Sequence, residues 1–164
     1  MTTIIRLHRI FYDFLISVKI PSFYSEILNL LFLTVIVCII IFILNYFSKR
    51  IISKIFKSLS KNTETNFDDY LIENKVPVYI AKLIPVLFIY SAIPFWFFGF
   101  EILIDYAFLT LQIYLVLLIV WIVRSILRSV KLFLKTLDSL KDKPIESFIQ
   151  VILIFVWFAC FQFL

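Results

Sequence analysis

The sequence predicts an all-α integral membrane protein: four transmembrane helices arranged as two tandem helical hairpins, preceded by an amphipathic interfacial helix. Three observations predict this. Of 164 residues 63% are hydrophobic, with 20 Phe and one Gly, and the mean hydropathy is +1.04. That leaves too few polar side chains to coat a water-facing domain. Four runs carry no charge, Ile27–Ser48, Leu83–Phe100, Tyr106–Val123 and Ser147–Leu164, each near or above the ~18 to 20 residues that cross ~30 Å of hydrocarbon. Finally, the basic residues gather in alternate connections between these runs.

The N-terminal segment, 1–26, is placed outside. Within residues 4–20, Ile4, Leu7, Phe11, Phe14, Leu15 and Val18 fall at helical spacing opposite Arg6, Arg9 and Asp13, as in a helix lying in a membrane interface. Anchoring is the plainest role for it. The first long apolar run starts only at Ile27 and ends in Asn45-Tyr46-Phe47-Ser48, which is no signal-peptide cleavage site, so the segment is expected to stay.

The first hairpin, 27–100, encloses a cytoplasmic loop at 48–75, and the second, 101–164, encloses one at 124–146. The first loop carries Lys49, Arg50, Lys54, Lys57, Lys61 and Lys75; the other carries Arg124, Arg128, Lys131, Lys135, Lys141 and Lys143. The connection Glu101–Asp105 carries no basic residue. Positive charge is retained on the cytoplasmic side, so both chain ends are expected outside. The net charge of +5 is accordingly a topology signal, and nucleic acid is not an expected partner.

Arg50, Lys54, Lys57 and Lys61 share the intervals i, i+4, i+7, i+11 with Arg124, Arg128, Lys131 and Lys135. At 100° per residue each set forms one narrow stripe, predicting that the first and third transmembrane helices run on beyond the hydrocarbon. The stripes can bind anionic lipid headgroups at about 1 kcal/mol per charge, or serve as topology determinants alone.

Between them Thr65-Asn66-Phe67-Asp68 fits a capping box, with Asp68 and Asp69 where a helix dipole favours negative charge. A helix cap is the simpler reading, because no His, Cys or nucleophile lies near for paired carboxylates to use. Pro77 suits the first turn of the next helix, and Pro77, Pro85 and Pro94 each remove a backbone donor and favour kinks. No catalytic, metal or cofactor constellation is legible. The one histidine, His8, lies in the leader, Cys38 and Cys160 lie mid-segment, and Lys82, near a segment end, can snorkel. Proton relays and ion-coupled transporters need ionisable groups at mid-depth, so an enzyme or transporter is disfavoured.

Thr63-x-Thr65-x-Phe67-Asp68-Asp69-x-Leu71, then Glu73-Asn74-Lys75-Val76, then Ala81-Lys82-Leu83-Ile84-Pro85 through Tyr90-Ser91-Ala92-Ile93-Pro94, resembles the membrane region of MscS-like mechanosensitive channels, in the five-helix miniconductance-type branch. Lys143-Pro144-Ile145-Glu146-Ser147-Phe148-Ile149-Gln150-Val151 is similar to that branch's Arg-Pro-Ile-x-x-Tyr-x-Gln-Val entry into its fourth helix. The resemblance covers roughly residues 45–160. It implies an outside N-terminus, a bacterial inner-membrane location and a tension-sensing role in osmotic downshock. In that family a Gly/Ala-rich pore helix and a cytoplasmic β-rich domain follow, which this sequence lacks, so the resemblance implies the sensor portion, not conducting by itself. Oligomerisation is expected only with that pore and cytoplasmic domain. The alternative is a small multi-pass accessory or scaffold protein without channel activity.

Overall fold

Arg50, Lys54 and Lys57, and likewise Arg124, Arg128, Lys131 and Lys135, lie on the same uninterrupted helices as the apolar runs before them. The computed structural model describes residues 2–60, 67–136 and 145–162, and of residues 2–9, 145, 146, 148, 160 and 161 the backbone alone. These form α1 (Thr2–Ser17), α2 (Ser22–Ser60), α3 (Phe67–Glu73), α4 (Val76–Ala81), α5 (Leu83–Trp96), α6 (Glu101–Thr136) and α7 (Ile145–Phe161). No strand occurs among the described residues. At 1.5 Å per residue the 39-residue α2 and the 36-residue α6 extend about 58 and 54 Å, well beyond ~30 Å of hydrocarbon. Glu101 to Asp105, read as a connection, are thus the opening turns of α6.

Among the described residues three stretches are long and apolar enough to cross a membrane: Ser22–Ser60, Val76–Trp96 and Glu101–Thr136. α7 is apolar but only 17 residues long. In the apolar windows of α2 and α6, 17% and 22% of residues are buried, so most of each perimeter is left uncovered by the rest of the chain. Phe42, Ile102, Phe155 and Phe158 are among the most exposed side chains.

Packing divides the chain into two units. The first comprises Met1–Leu44 and Pro85–Leu111, the second Asn45–Ile84 and Gln112–Leu164. Each unit thus draws on both sequence hairpins.

In the first unit α1 ends in a Schellman turn. Ile20 N–H donates to the Leu15 carbonyl at 3.2 Å and Lys19 N–H to that of Ile16 at 2.9 Å, with Lys19 left-handed at φ 64°. Pro21 follows and cannot continue the helix. Phe11 stacks on Phe32 of α2 at 4.2 Å and Leu15 is buried, whereas Phe14 is 59% exposed. The apolar face that the sequence assigns to the interface is therefore partly taken up by α2. α5 is tied to α2 by a relay: Trp96 Nε1–H donates to Thr34 Oγ1 at 2.9 Å, and Thr34 donates to the Leu30 carbonyl at 2.7 Å. Leu33, Val37, Val86 and Ile93 fill the interior. Gly99, at φ +89°, turns the chain from α5 to α6, and a methyl group in place of its hydrogen would meet no atom within 4 Å. Conformation alone calls for glycine there.

Trp96→Phe removes the donor but leaves Thr34 bonded to Leu30, so the expected loss is about 1 kcal/mol. It should show as a lower unfolding midpoint in detergent. Trp157→Phe, at a 47% exposed position, should change stability by less than about 0.5 kcal/mol.

In the second unit Val76, Ala81, Leu118 and Val120 are buried. The Val76–Trp96 span is interrupted at Lys82, where the backbone makes a turn. In a continuous helix the amide of residue 85 would bond to the carbonyl of Ala81, but Pro85 has no N–H and its ring crowds that carbonyl. Pro77 and Pro85 thus occupy first turns, of α4 and α5, and only Pro94 lies inside a helix, two residues before α5 ends at Trp96.

Candidate functional site

The second unit contains an elbow where Glu73-Asn74-Lys75-Val76 separates two short helices. Lys75 turns the chain at φ 61°, ψ 23° and is the cap residue of α4 without a side-chain bond to it. Its carbonyl instead accepts from the amides of Val78 at 3.0 Å and Tyr79 at 3.2 Å. Because a helix end leaves carbonyls without intrahelical donors, the C-terminus of α3 needs partners, and it finds them on α6.

The Tyr70 carbonyl accepts from Asn74 N–H at 3.0 Å, from Asn74 Nδ2–H at 2.9 Å and from Ser129 Oγ–H at 2.9 Å. The Asn74 carbonyl accepts from Ser125 Oγ–H. Ser129 Oγ also lies 3.1 Å from the Ser125 carbonyl, so its one proton divides between two acceptors. Both serines are buried, Ser129 completely. Four residues apart, they form a small, polar patch on one face of α6, which permits close backbone approach between membrane helices and supplies donors as well.

The start of α3 is held separately. Phe67 meets Phe133 of α6 edge to face at 5.4 Å, and the hydroxyl of Ser60, the last residue of α2, donates to Asp69 Oδ1 at 2.5 Å. Asp68 and Asp69 stand in the first turn of α3, as the dipole argument requires. Thr65, the cap of the expected capping box, lies outside the described residues. Past the elbow the Lys82 ammonium sits 5.4 Å from the Tyr79 ring centre and 5.8 Å from that of Trp121. It thus has two aromatic partners near the helix break, a favourable setting for a cation.

No protein-family model, curated protein or solved structure matches the chain.

Arg50, Lys54 and Lys57 are on the last turns of α2, and Arg124, Arg128, Lys131 and Lys135 on the C-terminal part of α6. Arg50, Lys54, Lys57, Arg124, Arg128 and Lys135 are exposed; Lys61 lies outside the described residues. Among the described residues no group of three or more His, Cys, Asp or Glu side chains is placed to hold a metal ion. Cys38 is free and exposed. The elbow is thus bonded on two sides: α3 to the end of α2 through Asp69 and to α6 through Ser129, with Asn74, just past α3, held by Ser125.

The Ser125 and Ser129 pair carries this site, and sequence reasoning passed over it. The available signal was Ser-x-x-x-Ser in α6, interleaved with a basic stripe that drew the reading toward charge.

Proposed function

We propose that the chain is the lipid-facing, tension-sensing transmembrane part of an MscS-like mechanosensitive ion channel of the bacterial inner membrane, serving the response to osmotic downshock and not conducting on its own. The observation that carries this reading is the elbow. Its α3 is bonded to both α2 and α6 in the second unit, and these helices leave most of their apolar windows unburied. A change in bilayer tension that favours a different cross-section of such helices shifts the population between two arrangements, and the elbow transmits their relative movement along the chain. In this reading α7 is a fourth span, the spans form two hairpins, the basic stripes face the cytoplasm against anionic headgroups, and the N-terminus is outside.

Orientation has a direct test. In a background lacking Cys38 and Cys160, cysteine at Leu103 should react with a membrane-impermeant thiol reagent from outside, and cysteine at Ser58 should not. The reverse pattern would remove the orientation and the headgroup role of the stripes.

Function is tested in two arms. Reconstituted alone, the chain should give no tension-gated current and should not protect cells from osmotic downshock. Fused in frame to the pore helix and cytoplasmic domain of an MscS-like channel, it should shift the gating threshold, because a sensor contributes area that differs between closed and open states. Discrete tension-dependent currents from the unfused chain would overturn the sensor reading. A fusion whose threshold equals that of the pore part alone would favour an accessory or scaffold role.

A further inference from the structure

The first unit holds a cavity of about 100 Å³ lined by Tyr12 of α1, Glu26, Asn29 and Leu30 of α2, and Phe98, Gly99 and Phe100 of the turn into α6. Asn29 is 4% exposed, and its Oδ1 is buried with no hydrogen-bond partner. Leaving a buried amide oxygen unsatisfied is costly, so such an atom marks a place where a donor belongs. Glu26 precedes Asn29 by one helical turn and shares its face. Its exposed side chain brings a carboxylate to the same cavity.

We infer that this cavity is a binding site for a primary ammonium group, carried by an aminophospholipid headgroup or by a free alkylamine. The lining decides the class. Acceptors that include the Asn29 amide oxygen and the Glu26 carboxylate, together with the aromatic residues Tyr12, Phe98 and Phe100 on the lining, form an environment for a cation with an organic body, since aromatic rings attract ammonium groups. Asn29 Oδ1 lacks a hydrogen-bond donor; a quaternary ammonium has none to give, and a primary one has three. The space also exceeds the roughly 10 to 15 Å³ that a single water needs, leaving room for the carbons beside the nitrogen. The inference is independent of the channel reading.

The full chain in micelles is offered equal amounts of phosphatidylethanolamine, phosphatidylcholine and phosphatidylglycerol with identical acyl chains, and the lipids it retains are read by native mass spectrometry. Phosphatidylethanolamine should be retained about tenfold over phosphatidylcholine, the scale of a charge-assisted hydrogen bond. Glu26→Gln and Asn29→Leu should each bring the two lipids close to parity. Glu26 is exposed, so its variant tests the site without disturbing the interior. In a second arm, ethanolamine is added to lipid-free micelles while the unfolding midpoint is followed. A rise that choline does not produce, lost in Glu26→Gln, identifies a free amine as a ligand; selective retention of the lipid with no such rise identifies the headgroup. Equal retention of the two lipids together with no rise in midpoint would mean that the cavity holds water alone and would overturn the inference. A preference that survives both substitutions would overturn it too.

Discussion

Ser129→Leu is expected to destabilise the protein by about 2 to 3 kcal/mol, the cost of forcing a large side chain into a filled interior. Ser129 has no exposed surface and its hydroxyl lies 2.9 Å from the Tyr70 carbonyl, so added carbons must push the elbow off α6. Ser129→Ala should cost far less, about 1 kcal/mol, because Tyr70 keeps both bonds from Asn74. Hydrogen exchange at Asn74, Lys75 and Val78, followed by mass spectrometry in micelles, separates the cases. It should accelerate strongly in the leucine variant and slightly in the alanine variant. If the leucine variant protects these amides as well as the parent does, the two serines do not hold the elbow.

Exchanging Arg124, Arg128, Lys131 and Lys135 for Gln is expected to remove about 4 kcal/mol of attraction to an anionic leaflet, at about 1 kcal/mol per charge. All four lie on one helix, α6, so they act on a single rigid rod. In the channel fusion the gating threshold should move, and the movement should shrink in bilayers without anionic lipid. A threshold unchanged by the four substitutions would reduce the stripe to a topology determinant.

The sequence made the long elements legible because their causes are written in side chains. The repeated spacing from Arg50 to Lys57 and from Arg124 to Lys135 carries helical periodicity past the apolar runs, and α2 and α6 do continue through them. Pro77 likewise stands in the first turn of α4. The interactions that fix the site were hidden for a physical reason. Ser125 and Ser129 bond to the main-chain carbonyls of Asn74 and Tyr70, and every residue type has a carbonyl, so the acceptor leaves no mark in the sequence. Thr34, Asn29 and Ser25 were passed over differently. They sit in or beside a run defined by lack of charge, and uncharged polar groups do not interrupt such a run. Yet Thr34 receives Trp96, while Asn29 and Ser25 are buried. The break at Lys82 has its cause written in the sequence, since Pro85, already read as a place where a donor is lost, forbids the bond that would have closed it.

The serines also set an order of events during synthesis. Ser125 lies 51 residues after Asn74, and Ser129 lies 59 after Tyr70. At roughly 5 to 20 residues per second the elbow precedes its donors by roughly 3 to 12 seconds. Throughout that interval the Asn74 carbonyl must be served by water or by lipid headgroups. The residues of the first unit end at Leu111, whereas the second includes residues from Gln112 onward. A nascent chain that has cleared the ribosome only as far as Leu111 therefore holds all of the first unit and an elbow still waiting for its helix.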